Sequence, residues 1–394
     1  MGSAGGMTGD LDIIKSGLID RIEAVCERLL PDGKPEGGLW VAWNPIEHDQ
    51  KPGRLPALKV RIRNGDIGAW SCWRSGAKGD VLKLVAYVER TDIKGALAWG
   101  RDFLGIRSMS PAERQNLRKA EVVRQKERDH KAERARLFKL QSADQLFFAK
   151  PSDKETGPAW CPQGTFAYGE GTAAELHAKA YFRGRGVDLD AIPNLNRYSF
   201  RFSPATEWWK GARYENSDGR RWKAERGPLF PAMHSAMRNR MGIVTACHIT
   251  FFDPVKPKKA PVTPAKLMWG EALGAVIEIS MGPNAVPFWM ADRDGLVPDP
   301  VVVGEGIETA ASFSQPVPEA RVWAGGSLAG VGSAPIDLAC IEWALFARDN
   351  NAGNAQAQKQ FDQALAGLER HGKTVVVEAS HVGDDFNDLA QGEE

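Results

Sequence analysis

Cysteine is scarce in this chain. Cys26, Cys72, Cys161, Cys247 and Cys340 are scattered without a Cys-x-x-Cys pair, which excludes a disulfide framework and fits a reducing compartment. Long hydrophobic runs are missing too, as is a charged-then-apolar leader, so the sequence reads as a soluble cytoplasmic protein with no membrane partner. Surplus charge of either sign is absent. A formal net charge of +1 excludes a uniformly basic nucleic-acid coat, and any such contact must come from local patches. No phosphate-loop motor is read in the chain. Length is not scarce: 394 residues allow two or three domains with adequate cores. The first six residues, glycine-rich and ahead of a second methionine, are set aside.

What is present gathers in the last quarter. Val301-Val302-Val303 leads into Gly304-Glu305-Gly306, Trp343 to Ala347 leads into Arg348-Asp349-Asn350-Asn351, and Val375-Val376-Val377 precedes Gly383-Asp384-Asp385-Phe386-Asn387-Asp388. Each apolar run has strand length, and helix-forming sequence follows the first two. The pattern predicts an α/β fold with acids at the carboxyl ends of parallel strands, where an open sheet binds its ligands. A hard divalent cation is the physical reason for such placement, because Mg²⁺ takes one or two carboxylates per ion and shares the rest of its octahedron with water and phosphate. Glu305, Asp349 and Asp385 are the convergent set. For any one of them alone, helix capping is the competing explanation.

These three ordered motifs resemble the Toprim domain, the Mg²⁺-binding catalytic fold of bacterial-type primases, topoisomerases and some nucleases, and most closely its variety in phage and plasmid primases. The resemblance implies a Rossmann-like, mostly parallel sheet over residues 299–394. It implies Glu305, Asp349 and Asp385 as catalytic residues, and Glu305, Asp349, Asn351 and Asp385 around Mg²⁺ or Mn²⁺. One position departs from the pattern: Asn351 stands where the family has a second aspartate. An amide oxygen still ligates a hard ion but carries no charge, so affinity for a second metal is expected to fall and catalytic competence stays open.

Residues 7–107 read as a small α+β module, with a helix between Leu11 and Leu30, short strands from Gly37 to Ser71, and helices beginning near Asp80 and Ile93. The order Trp43-Asn44-Pro45, Lys51-Pro52-Gly53, Cys72-Trp73-Arg74-Ser75 and Gly79-Asp80 resembles the primase zinc ribbon with its ligands removed. Cys72, with His48 at most, cannot make a tetrahedral site, so no zinc is expected. Trp40, Trp43, Trp70 and Trp73 are expected to supply a core in its place. Arg61, Arg63, Arg74 and Lys78 would form a basic face, with Arg61 and Arg74 the candidates for template contact.

Residues 108–150 carry the densest charge and read as one long solvated linker helix opened by Ser110-Pro111. Residues 151–298 resemble the N-terminal, α+β half of the same primase core. The match runs through the helix ending Arg183-Gly184-Arg185-Gly186, the Pro231-Ala232-Met233 turn, the His248-Ile249-Thr250 strand, and Lys266 before the glycine-flanked strand to Ile279. Arg183, Arg185, Arg201 and Lys266 are the candidates for triphosphate and template phosphates, since arginine binds phosphate bidentately and lysine acts as a mobile point charge. His248 is read as structural. The insert from Trp208 to Lys223 mixes aromatics with cations, which suits either base stacking or a packed edge.

The resemblance implies a DNA primase that joins nucleoside triphosphates into RNA primers on a single-stranded DNA template, with any replicative helicase a separate partner. A catalytically weak Toprim protein that binds nucleic acid or a replication partner, and a Toprim nuclease, are the alternatives.

Overall fold

The computed structural model describes residues 4–46, 55–106, 111–149, 161–217, 220–348 and 355–379. The chain divides into two units, Met1–Glu133 and Arg134–Glu394.

In the first unit, α1 (Ala4–Asp20) and α2 (Ile22–Leu29) stand where one helix was expected, and the break falls at Arg21, whose N–H bonds the Leu18 carbonyl at 3.2 Å. Helix α2 buries Ile22, Val25, Cys26 and Leu29, the stripe that a 3.6-residue period places on one face. An antiparallel sheet follows in sequence order, made of β1 (Lys34–Glu36), β2 (Leu39–Ala42), β3 (Leu58–Arg61), β4 (Trp70–Cys72) and β5 (Lys78–Gly79). Strand β3 alternates, with Leu58 and Val60 inward and Lys59 and Arg61 outward. Asp80 and Asp92 start α3 (Val81–Val88) and α4 (Ile93–Phe103) by accepting from the Lys83 and Gly95 N–H groups at 3.0 and 2.8 Å. Trp40 and Trp70 join this core, but Trp73 does not. It falls in the turn after β4, beyond the inward alternation, and is 65 % exposed.

Helix α5 (Pro111–Phe147) runs 37 residues, roughly 55 Å at the standard rise. Its described residues through Lys139 are exposed, as expected of a solvated helix, yet side chains along it are held within each unit. In the first unit Arg124 pairs with Asp20 at 2.8 Å and Arg128 bonds the Ser16 hydroxyl at 3.1 Å. In the second unit Ala143, Leu146 and Phe147 are buried, and the Trp269 indole N–H donates to Ser142 Oγ at 2.7 Å.

The second unit continues with β6 (Phe166–Ala167), α6 (Ala173–Arg183), β7 (Phe200–Glu207), β8 (Arg213–Ser217), β9 (Arg220–Glu225), β10 (Leu229–Asn239), β11 (Val244–Phe251), β12 (Lys266–Gly270) and β13 (Ala275–Met281). Then come α7 (Phe288–Arg293), β14 (Asp299–Gly304), α8 (Ile307–Ser312), β15 (Arg321–Ala324), α9 (Leu328–Val331), β16 (Ile341–Arg348), α10 (Ala355–Glu369) and β17 (Val375–Ala379). One mixed sheet holds most of the strands in the order β12-β11-β10-β13-β15-β14-β16-β17, with β7 also along β10 and β6 on β7. Pairing is antiparallel as far as β13–β15 and parallel among β15, β14, β16 and β17. The fold is therefore mixed α/β, with its C-terminal region mostly parallel.

A buried ion cluster fastens the two halves of this sheet. Arg321 of β15, fully buried, reaches Glu278 of β13 at 3.2 Å and Asp299 of β14 at 3.0 Å, and Asn196 donates to Glu278 at 2.7 Å. Removing Arg321 would leave two buried carboxyl groups without their shared cation in a low dielectric. Among the described residues no helix is long and apolar enough to cross a membrane.

Candidate active site at the strand ends

The parallel strands finish level with one another. Gly304 pairs with Ala347, and Ala347 with Glu378, so the carboxyl ends of β14, β16 and β17 lie side by side at the usual spacing of about 4.8 Å. Glu305 follows β14 directly and is half-buried. It lines a small cavity of about 20 Å³ with Leu328, Ala347, Arg348, Ala357, Gln358 and Phe361, room for roughly one water or ion. The elements carrying Glu305 and Arg348 thus meet, although they are far apart in sequence. Arg348 donates to Gln358 at 2.6 Å and lies over the Phe361 ring at 4.3 Å, closing one wall. Asp349, Asn351 and Asp385 lie outside the described residues. Glycine at 304 has a packing reason: a Cβ there would stand 3.0 Å from the Ala310 Cβ and 3.2 Å from its nitrogen, so α8 approaches β14 only over a bare backbone.

Beside this end of the sheet lies a charged cluster that sequence reading had not assembled. Glu308, 4 % exposed, receives the Lys266 ammonium at 2.7 Å, the Lys259 ammonium at 3.4 Å and the Tyr181 hydroxyl at 2.9 Å. Burial opposes ionisation of Glu308, but the two lysines outweigh it and hold the carboxyl well below the usual range. Both side chains remain partly open to solvent, Lys266 at 31 % and Lys259 at 42 %, while they hold Glu308. Arg185 is near enough to act electrostatically on Lys259. His248 abuts the Gly326 turn, whose N–H bonds the Glu305 carbonyl at 2.8 Å. Burial pushes its imidazole down to about 4, so it is neutral at pH 7, and its Nδ1 has no partner among the described residues. Glu308 was legible as a second acid three residues after Glu305. Lys259 was not, because it comes from a proline-rich loop whose path no periodicity predicts.

The sequence-predicted cations separate. Lys266 and Arg185 belong to the cluster. Arg183 is exposed and pairs weakly with Asp188 and Asp190 at 3.5 and 3.4 Å. Arg201 does not join them: register sets Arg201 against His234 and Ile249, on the face covered by the end of α5, while Lys266 shares the opposite face with Thr250 and Met233. Arg201 is spent on Thr165, donating to its Oγ1 at 2.8 Å and its carbonyl at 2.7 Å. In the first unit Arg61 is exposed on the outer face of β3, and Arg74 donates to the Leu55 carbonyl at 3.0 Å while lying over the Trp73 ring.

The place expected of a zinc knuckle holds a different donor set. Asn44, buried, donates to Cys72 Sγ at 3.5 Å and to the Tyr87 hydroxyl at 2.9 Å. Burial disfavours the Cys72 thiolate, yet hydrogen bonds from Ser75, Arg74 and Asn44 together bring its pKa below the ordinary value. One thiol among an amide, a hydroxyl and a phenol suits hydrogen bonding and does not suit tetrahedral zinc.

The chain does hold one phosphate-loop-like string, contrary to expectation. Gly367-Leu368-Glu369-Arg370-His371-Gly372-Lys373-Thr374 satisfies the letter of the phosphate-loop spacing. The string ends α10 and leads into β17, the reverse of the strand-loop-helix order the motif requires, and Lys373 is tied to the Ile341 carbonyl at 2.7 Å. It forms no phosphate loop.

An open sheet with an acid at the level ends of its parallel strands makes this an α/β protein with that acid where open sheets commonly meet their ligands. Residues 300–393 match the family model described as a Toprim domain, and this part of the chain is a Toprim domain. Residues 165–279 match a model described as a domain of unknown function (DUF7146). No match was found among curated proteins. Among solved structures, the chain is similar to the zinc-binding and RNA polymerase domains of Aquifex aeolicus primase, at 12 % identity over 98 % of this chain and 82 % of that one, with a TM-score of 0.34. A DNA primase domain from Pseudomonas aeruginosa aligns at 16 % identity, 55 % and 67 % coverage and a TM-score of 0.35. The primase fragment of the bacteriophage T7 primase-helicase aligns at 12 % identity, 53 % and 68 % coverage and a TM-score of 0.32.

Proposed function

We propose that this protein is a DNA primase that synthesises short RNA primers on single-stranded DNA by nucleotidyl transfer, with Mg²⁺ or Mn²⁺ held by Glu305, Asp349, Asn351 and Asp385. The observation that carries the reading is the alignment of Gly304, Ala347 and Glu378 at one sheet edge inside a Toprim domain, with Glu305 lining a cavity at that edge. A divalent cation bound there would acidify the attacking 3′-hydroxyl and offset the charge of the triphosphate. The chain's own residues then divide the remaining work. Glu305 orients or accepts a proton from the attacking hydroxyl. Lys266 and Lys259, partly open to solvent, meet triphosphate oxygens, and Glu308 keeps both in place between turnovers. Arg185 and Arg183 extend this positive edge toward the template, and Arg61 and Arg74 are the template contacts of the first unit. A replicative helicase would act as a separate partner.

Asn351 favours a second reading, a Toprim protein that binds nucleic acid with little or no catalysis, because its amide brings no charge to the second aspartate position. One incubation separates the readings, using single-stranded DNA, labelled nucleoside triphosphates and Mg²⁺ or Mn²⁺. Short RNA products that vanish with Glu305→Gln are expected. Shortened template would indicate a nuclease, and DNA binding without either product would leave the binding protein.

A further inference from the structure

Between β7 and β10 the main sheet is interrupted by an insert whose two strands, β8 and β9, pair only with each other. A lone two-stranded hairpin is marginal in water, and this one is secured at its root. Trp208 donates its backbone N–H to the Pro228 carbonyl at 2.8 Å and its indole N–H to the Pro264 carbonyl at 3.0 Å. Trp209 packs edge-on against Phe251 and Trp269. Fully buried Glu207 holds Lys223 through both oxygens at 2.8 Å and the Gly227 N–H at 2.9 Å.

Beyond that root the blade is exposed. All five residues of β8 face solvent, and Tyr214 and Trp222 are 39 % and 45 % exposed. Register sets Tyr214 opposite Lys223 and Trp222 opposite Glu215, so the two rings stand on opposite faces. Residues 208–226 hold six basic side chains against three acidic ones, a local excess in a chain that is otherwise nearly neutral. Of the six, Lys223 is held by Glu207 and Arg213 pairs with Glu215 and Glu225 at 3.0 and 2.7 Å, so the surplus lies on Lys210, Arg220, Arg221 and Arg226. A protein partner would call for a contiguous apolar patch, whereas each ring here is bordered by charged positions. Cations with isolated aromatic platforms are what single-stranded nucleic acid requires, since every unpaired base has a face to stack.

We propose that the β8–β9 hairpin is a binding element for single-stranded nucleic acid, in which bases stack on Trp222 and Tyr214 while the surrounding cations follow the phosphates. Such binding needs neither metal nor nucleoside triphosphate, so it stands or falls separately from the proposed catalysis. The test is anisotropy of a labelled oligothymidine of about 20 nucleotides, longer than one typical site, with the full chain at two salt concentrations. Tyr214→Ala with Trp222→Ala is expected to weaken binding about thirtyfold, the lower end of the range for losing two stacked bases, without moving the thermal midpoint. Trp222→Phe, which keeps an aromatic face, is expected to recover most of the Trp222 part. The proposal is overturned by unchanged affinity in the double variant, by Trp222→Phe behaving as alanine, or by a duplex of equal length competing as well as the single strand. If the double variant also lowers the midpoint, the Trp222→Phe comparison with Trp222→Ala decides alone.

Discussion

The N-terminal module and the C-terminal parallel sheet differ in what fills their motif positions. The module keeps the scaffold: strands, turns and capped helices stand in order, while the expected thiolate positions hold Asn44, Cys72 and Ser75 joined by hydrogen bonds over a core of Trp40 and Trp70. The parallel sheet instead has an acid where the motif expects one: Glu305 stands at the end of β14, beside the end of the strand that leads into Asp349. A structural metal can be replaced by packing and hydrogen bonds, because its task is to lower the free energy of the fold. A carboxylate that works on substrate has no such substitute.

This contrast predicts where substitutions act. The largest effect belongs to Glu305→Gln, expected to reduce nucleotidyl transfer about a thousandfold, near 4 kcal/mol of transition-state stabilisation, with an unchanged melting curve. Equal loss of stability would assign Glu305 to the scaffold instead. In the module the order is reversed. Trp40→Ala is expected to lower stability by about 3–4 kcal/mol, against less than about 0.5 for exposed Trp73→Ala, both read from denaturant unfolding. Similar costs at the two tryptophans would remove the idea that an aromatic core has taken the place of metal.

Glu308→Gln tests the boundary between the two roles. It leaves Lys259 and Lys266 uncompensated, and because both are partly solvated the expected cost is about 2–3 kcal/mol rather than that of a fully buried pair. Weaker triphosphate binding should accompany it if Glu308 holds those lysines for substrate. The smallest effect is in pH. His234 is fully buried, with Thr206 at Nε2 and the Leu146 carbonyl at Nδ1, and burial pushes it down to about 4. Between its ordinary value and that one the unfolded chain binds the extra proton, so this contribution is complete above about pH 6.5 and is lost as pH falls toward 4. At pH 5 it amounts to about 2 kcal/mol, and His234→Gln should flatten the fall in stability between pH 7 and 5 by that much.

How far the sequence could be read follows from how local each signal was. Strand–acid–glycine motifs are contiguous, so β14 and Glu305 were visible as a unit. The helix starts near Asp80 and Ile93 were visible for the same reason. Arg201 was grouped with Lys266 because both are basic and precede or open strands, but the two-residue period puts them on opposite faces once the β7–β10–β11–β12 register is fixed, and register is a tertiary fact. Lys259 reaches Glu308 from a loop, and Arg321 joins Glu278 and Asp299 across three strands; neither contact leaves a periodic trace.

Mn²⁺ binding, followed by the loss of the free-ion electron paramagnetic resonance signal in the wild-type chain and in Glu305→Gln, tests the proposed metal site without requiring turnover. Saturable binding weakened at least about tenfold by the substitution is the expected result. Equal binding by the two proteins would contradict it, leaving the level strand ends as architecture alone.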